Sequence, residues 1–471
     1  VDVEIVDTFE AGEAILDPSQ GMFAGYTERG APLTVAHNMA DYQKYCGGRN
    51  GASAMYDSVG SFFAEGGRTA YIARNSAAGD AVALGMLGTW AEFSAKSGGL
   101  WGNDVEVESV APIGSATAIR LQVSYDGEVV ESSPNLLTLD AAKAWAADKS
   151  FYVVVSDEGA DSDTLPAPNV TATLAGGANG AHAADDYQSG LDLLKYDLGP
   201  GQVNCPGESD PSVHLMVGEH CDFQHRVGVL DFPNTDDVFE LTAAVEALYG
   251  QTGCRYMIGL APWLIYPGDA QDSTNIIPYG GMEMGLIAKV DAMRDASLVA
   301  AGAQAISRRA IGLANDYSDA DRQTLNAAGV SLGRMLYGNV RTYGYRTVAG
   351  PDDTNWLFFQ ESRVIMTIAH EVQAQVEEYV FNTIDGLNHL FTRVKNAVVG
   401  ILQPYWLVGA LYGATPDQAF RVICDTNNNT PDTISGGEVH VTLYLRTSKI
   451  AEWIKVEIIK VPTAEEVPAA A

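Results

Sequence analysis

The chain has 471 residues, 46% of them hydrophobic, with 21 Tyr and 48 Gly. That describes a folded protein of roughly two to four domains rather than a disordered one. Its formal net charge of −32 argues against direct nucleic-acid binding, which needs a basic footprint, and no run of about 18 apolar residues is present to span a membrane.

The acidity is uneven. The first 300 residues carry 42 Asp and Glu against 14 Lys and Arg, whereas the remaining residues carry 18 against 14. Two readings follow: a well-solvated acidic exterior, or an acidic outer region with a less acidic region turned toward a partner. Cys46, Cys205, Cys221, Cys254 and Cys424 are dispersed, odd in number and without C-x-x-C spacing. They are expected to be free thiols in a protein made in the cytosol.

Along the chain, Val1, Val3 and Ile5 alternate with Asp2 and Glu4, a strand pattern with no nearby hairpin partner. The same segment lacks the basic and apolar regions of a signal peptide. Ala14 to Gly30 is turn-rich, with a short strand expected at Met22–Tyr26 and another after Pro32. A helix over Asp41–Tyr45 ends at Gly47-Gly48. A second over Ala54–Ala64 ends at Gly66-Gly67, a C-terminal glycine signal, and an apolar strand follows at Arg68–Arg74.

Residues 91–224 read as an inserted, β-rich, acidic domain. Val105–Val110 alternates with period two, and Asp126-Gly127 marks a hairpin between Arg120–Tyr125 and Val129–Glu131. Phe151–Val155 is a further strand, and Gly176–Ala184 is low in complexity and expected to be mobile. From Arg226 the pattern becomes α/β: apolar strands at Val227–Asp231 and Tyr256–Leu260 flank a helix at Val238–Tyr249. A long helix is expected at about Glu361–Phe381, and a second at about Leu387–Leu402 that ends before Pro404. A Gly turn, a short helix at Pro416, a strand ending in Asp425, an Asn-rich turn and the strands Val439–Arg446 and Glu452–Val461 complete the chain.

Candidate chemistry is sparse. Gly329-Val330-Ser331-Leu332-Gly333 matches G-x-S-x-G, but a helix is expected before Ser331 and a strand after it, the reverse of a nucleophile elbow. His214, His220, Cys221 and His225 cluster without spacing that enforces a metal site. His370-Glu371 lacks the second His of H-E-x-x-H, and no phosphate loop of the G-x-x-x-x-G-K-[ST] type exists. No catalytic, cofactor or metal residue is assigned.

Two blocks in the same order resemble contractile tail sheath proteins of phage tails and R-type bacteriocins. One is Tyr56 to Tyr71, containing Glu65-Gly66-Gly67-Arg68; the other is Gly409-Ala410-Leu411-Tyr412-Gly413-Ala414-Thr415-Pro416-Asp417 through Asn429. Asp231-Phe232-Pro233, Pro262-Trp263, Thr324–Val330 and Tyr343–Thr347 are similar to family segments between them. The resemblance implies an α/β and α+β multidomain fold. Its parts would be an N-terminal strand arm and linker (1–20), a middle α/β domain (21–90 with 225–350), the outer insertion (91–224), a C-terminal sheath core domain (351–450) and a C-terminal strand arm (451–471). It implies a non-enzymatic subunit, without cofactor, that polymerises as stacked six-fold rings around an inner tail tube and contracts to drive that tube through a target envelope. Its partners would be further copies of itself, the tube protein, and baseplate and terminator proteins, in a virion tail assembled in the bacterial cytoplasm. Arms carrying Val1, Val3 and Ile5, and Trp453, Ile454, Val456, Ile458 and Ile459, would pair with neighbouring subunits through hinges at Glu10–Gln20 and Thr447–Ala451. A helix carrying His389, Arg393, Lys395 and Asn396 would face the tube. Two other classes stay open on the residues alone: an α/β hydrolase-like enzyme acting through Ser331, and a surface-layer or adhesin-type assembly protein.

Overall fold

A computed structural model describes residues 17–51, 53–113, 117–157, 164–270 and 272–452. The strand arms Val1–Ile5 and Trp453–Ile459 lie outside the described residues.

The organising element is an eight-stranded sheet. Its strands are β1 (Gly21–Gly25), β2 (Leu33–Ala36), β3 (Ala70–Arg74), β4 (Gln202–Asn204), β5 (Val227–Asp231), β6 (Met257–Ala261), β7 (Val330–Leu336) and β8 (Asn339–Tyr343). They lie in the order β8-β7-β6-β5-β4-β1-β3-β2. The six inner strands are parallel; β2 and β8 close the edges antiparallel. Strands β1, β5 and β6 are buried at every residue, which is why they read as near-continuous apolar runs, with Asp231 at the end of β5, rather than alternating ones.

Helices α1 (Met55–Glu65) and α2 (Gly280–Met293) pack against each other on this sheet. Eleven of the fourteen α2 residues are buried, so the helix shows no polar face to betray it. Close approach depends on Gly281 and Gly285, one turn apart. A Cβ on Gly281 would stand 2.2 Å from the Ser58 carbonyl oxygen, and one on Gly285 2.5 Å from that of Phe62.

The insertion leaves the sheet after β3 and returns before the helix Asp186–Leu191. The expected span 91–224 differs from this at both ends. Leu84–Leu87 already pairs with Ala91–Ala95 inside the inserted unit, whereas β4 belongs to the central sheet. Three buried residues, Gln202–Asn204, are too short a run to stand out between Gly199-Pro200-Gly201 and Cys205-Pro206-Gly207, which read as turns. The unit consists of two antiparallel sheets and the helix Leu139–Lys149 around Trp90, Phe93, Trp101, Leu121 and Trp145. The hairpin turn at Asp126-Gly127 has both residues at positive φ (50° and 79°), as a two-residue turn matched to strand twist requires. Gly176–Ala184 is a paired segment rather than a free loop: Ala178 and Ala181 bridge to Ala81 and Ala78, and Asn103 exchanges hydrogen bonds with Gly177.

The insertion is clamped to the sheet domain through Arg29. Its guanidinium lies 4.2 Å from the Tyr152 ring centroid and donates to the carbonyls of Gln43 and Lys44. Tyr125 donates to Glu28 at 2.7 Å.

In the C-terminal region, α3 (Phe359–Glu377) and α4 (His389–Leu407) pack together over a two-stranded sheet, β9 (Phe420–Ile423) with β10 (Thr442–Leu445). Helix α3 ends four residues before the expected Phe381, and α4 runs through Pro404 instead of stopping before it. A proline there removes one hydrogen bond to Gly400, but Trp406 beyond it is anchored through Nε1 to the Gly413 carbonyl at 2.8 Å. The Asn-rich turn acts as a staple: Asn428 donates to the carbonyls of Ile423 and His440, and Asn429 accepts from the His440 amide.

The glycine pair in α2 gives a direct test. Gly281→Ala is expected to destabilise the chain by about 1–3 kcal/mol through overpacking against the α1 backbone. Equilibrium denaturation measures this, and an unchanged midpoint would refute the close packing.

Candidate functional site

In an open parallel sheet, ligands bind beyond the carboxyl ends of the strands where the strand order reverses. Here the reversal lies between β1 and β4, and side chains fill that position. Tyr26, just beyond β1, stacks on His182 with centroids 3.5 Å apart and donates to Asp186 at 2.7 Å. Tyr187 packs edge-on against Tyr26 and donates to Glu208 at 2.7 Å. At the end of β5, Asp231 is buried and accepts from the amides of Gly280 (2.6 Å) and Gly207 (3.0 Å) and from Asn204 Nδ2 (3.1 Å). Burial raises its pKa, and these bonds act in the opposite direction. Asp231 ties three chain segments together, with no oxygen presented to solvent.

Ser331 does not stand on an elbow. Gly329 caps the preceding helix, Ser331 is the second residue of β7, and its fully buried Oγ accepts from the Arg346 amide at 3.3 Å. The His/Cys cluster is also dispersed. His214, His220 and Cys221 share the helix Pro211–Gln224, while His225 caps it in a left-handed conformation. His214 bonds to the Glu208 carbonyl, whereas His220 meets Arg226. Burial pulls His214 down to about 4; burial, then Arg226, pulls His220 down to about 3. No group of three or more His, Cys, Asp or Glu able to hold a metal occurs among the described residues. His370 stacks on Tyr196 and Glu371 accepts from Tyr405, so this pair joins α3 to its neighbours.

The tube-facing set divides. At roughly 100° per residue, His389, Arg393 and Asn396 fall on one stripe of α4, all exposed. Lys395 is half-buried and points about 120° away from that stripe, on the side of Cys424. Arg393 lies over Tyr379 at 5.2 Å.

The described segments next to both expected arms are fastened. Gln202 Nε2 donates to the Pro18 carbonyl at 2.6 Å, and the Gln202 amide donates to Gln20. Thr447 donates to Glu361, the Ser448 amide to Ala410, and Lys449 to the Thr354 carbonyl. Arg346 grips Glu452 with two bonds, 3.0 and 2.7 Å, and Asn326 adds a third at 2.8 Å. The expected hinge at Thr447–Ala451 is therefore a strap held against two domains. Residues 10–16 of the other expected hinge lie outside the described residues. Between the straps, β9 and β10 each have one ladder partner among the described residues. Phe420 and Val422 face the α4 core while Arg421 and Tyr444 are exposed.

No family model matches the chain, and no curated protein sequence matches it. Solved structures do. The chain is similar to a sheath tail protein from Listeria innocua, with 13% identity, 92% of this chain and 96% of that one covered, and a TM-score of 0.63. For a sheath tail protein from Desulfitobacterium hafniense the values are 14%, 90%, 93% and 0.61. For the helical sheath of the anti-feeding prophage in its contracted state they are 14%, 97%, 99% and 0.56. At these identities the likeness defines the fold. The chain has the mixed α/β multidomain fold of tail sheath proteins along most of its length, and these neighbours are structural proteins.

Two predictions follow from the buried groups. Ser331→Ala should leave stability within about 1 kcal/mol and any background ester hydrolysis unchanged; loss of a real activity would revive the hydrolase reading. Glu283, fully buried in α2 with Thr342 Oγ1 at 2.5 Å, is raised from 4.5 to about 8, mainly by burial. Between those values the folded state holds a proton that the unfolded state has lost, so this group makes stability fall as pH rises from 4.5 to about 8. Glu283→Gln should flatten that part of the stability profile in denaturation at stepped pH; an identical slope would contradict the assignment.

Proposed function

We propose that the protein is the subunit of a contractile tail sheath, polymerising in stacked helical rings around an inner tube and contracting to drive the tube through a target envelope. The observation that carries this reading is the sheet β9–β10, which has two strands among the described residues, in a chain whose fold is that of sheath proteins. Two strands alone are marginally stable, and unpaired edges are normally blunted unless association is their purpose. Strands donated from neighbouring copies, carrying Val1, Val3 and Ile5 or Trp453, Ile454, Val456, Ile458 and Ile459, would complete the sheet by backbone pairing. Such pairing is indifferent to most side chains and survives rotation of the subunit bodies.

The sealed strand ends and scattered histidines favour a structural role over an enzymatic one. Contraction in this scheme needs no nucleotide: subunits assemble in a metastable extended lattice and relax to one with more contacts. The tube contact would use the His389, Arg393 and Asn396 stripe, without Lys395. Baseplate and terminator proteins would bind the ends of the polymer, in a phage tail or a related extracellular injection particle.

Negative-stain electron microscopy of the purified chain tests the reading. Hollow cylinders with a helical cogwheel profile are expected; compact monomers, even with the cognate tube protein as template, would sink it. Removal of residues 1–8 or 453–471 should leave folded monomers that do not polymerise. Normal cylinders from those truncations would refute strand donation while leaving the sheath assignment standing.

A further inference from the structure

A buried carboxylate is costly unless donors surround it. Glu65, at the end of α1, is fully buried and accepts from Ser307 Oγ (2.6 Å), the amides of Arg308 (2.8 Å) and Arg309 (3.1 Å), and Tyr266 Oη (3.1 Å). Three of these four donors belong to one surface loop. They fix its backbone so that the side chains of Arg308 and Arg309 stand outside, both exposed.

The loop sits beside a second basic feature. Gly302–Ser307 runs along edge strand β8, with the Gly302 amide donating to Thr342 and the Ser307 amide to Val340. In the β7–β8 hairpin, Arg334 stands directly opposite Arg341, a like-charge pairing that is unfavourable in isolation. Each guanidinium lies over a tyrosine: Arg334 over Tyr343 at 5.1 Å, Arg341 over Tyr337 at 5.6 Å. Tyr337 is 91% exposed and holds a left-handed φ of 52°, unfavourable for a bulky residue. Of these four arginines, only Arg334 has an ion pair among the described residues, with Asp319 at 3.3 Å.

We propose that this arginine–tyrosine surface docks the acidic inserted domain of a second copy of the chain; the proposal rests on the self-assembly proposed above. Arginine and tyrosine are the residue types that anchor interfaces. Nucleic acid is disfavoured because the net charge of −32 repels it. The complementary surface is in the same chain: residues 75–184 carry 14 Asp and Glu against 4 Lys and Arg. On the strand Val105–Val110, Val105 and Val107 are buried, so Glu106 and Glu108 alternate onto the outer face of the inserted sheet. Every copy carries both surfaces, so the contact is heterologous and can join successive copies into a ring or a helical polymer.

The test uses the full chain and charge reversal. Arg308→Glu with Arg309→Glu should raise the critical concentration for polymerisation by about tenfold or more, with the monomer's melting temperature unchanged. Glu106→Lys with Glu108→Lys should do the same, and the four changes together should recover most of the loss. Wild-type polymerisation by the arginine double variant, or no recovery in the combined variant, overturns the proposal. Disulfide trapping separates this contact from the sheath reading. If Arg309→Cys and Glu106→Cys copies crosslink between chains while no cylinder ever forms, the contact stands and the sheath does not. Cylinders that form without this crosslink overturn the contact alone.

Discussion

Helix α3 is the constraint on which the rest of the molecule depends, because its two faces are buried in two different cores. Phe359 and Met366 enter the core beneath the central sheet, while Val364, Ile368 and Val372 enter the core of the C-terminal region. On the first face, Arg363 is paired with Asp291 of α2 in a setting where both side chains are 3% exposed. Burial raises the Asp291 pKa and Arg363 opposes it; removing either partner would strand a charge in the interior. A buried ion pair is weak evidence for net stability; here it joins α3 directly to α2. The central sheet and the C-terminal sheet are thereby held through one helix rather than through a linker.

The same economy shapes the switch point of the parallel α/β sheet, where the described residues leave no open ligand site. The loops that would normally gather a ligand instead tie segments of the chain together: Asp231 joins β4, β5 and the start of α2, and the Tyr26–His182–Tyr187 stack closes the crevice. Titratable groups here are shifted by burial, and their partners are backbone amides and tyrosines. Perturbed pKa values often mark catalysis, yet structural networks shift them as well. Asp231 and Glu283 belong to the second kind, since neither has an exposed face.

Much of this fold was legible because its signals are local. Asp126-Gly127 specifies its hairpin through positive φ, Gly66 stops α1, β6 is apolar throughout, and β5 is apolar up to its terminal Asp231. The features that escaped depend on distant partners. β4 is three residues long and is a strand only because β1 and β5 flank it. Pro404 is a helix breaker by local rule, but packing carries α4 past it. Lys395 is an exception: it shares the sequence neighbourhood of Arg393 and not its face, and helical phase, which needs no distant partner, decides that. Glu65 was visible only as part of a Glu-Gly-Gly-Arg block; its role needed Ser307, more than 200 residues away.

The fastening of the arm bases changes where motion can occur. A hinge at Thr447–Ala451 would let the C-terminal arm swing against its own domain. The bidentate grip of Arg346 on Glu452, about four-fifths buried on both sides, instead makes the strap part of the body. Such geometry strengthens an ion pair well beyond a loose surface contact. The N-terminal side is similar, with Pro18 and Gln20 bonded to Gln202 at the start of β4. If subunits are to rotate while remaining joined, flexure has to fall between these anchors and the neighbour's sheet. In the proposed assembly both arms would then leave the body at fixed points set by β4 and by the Arg346 side chain. In the proposed assembly, the reach of each arm, rather than any looseness within the folded body, would limit how far one subunit could turn against the next.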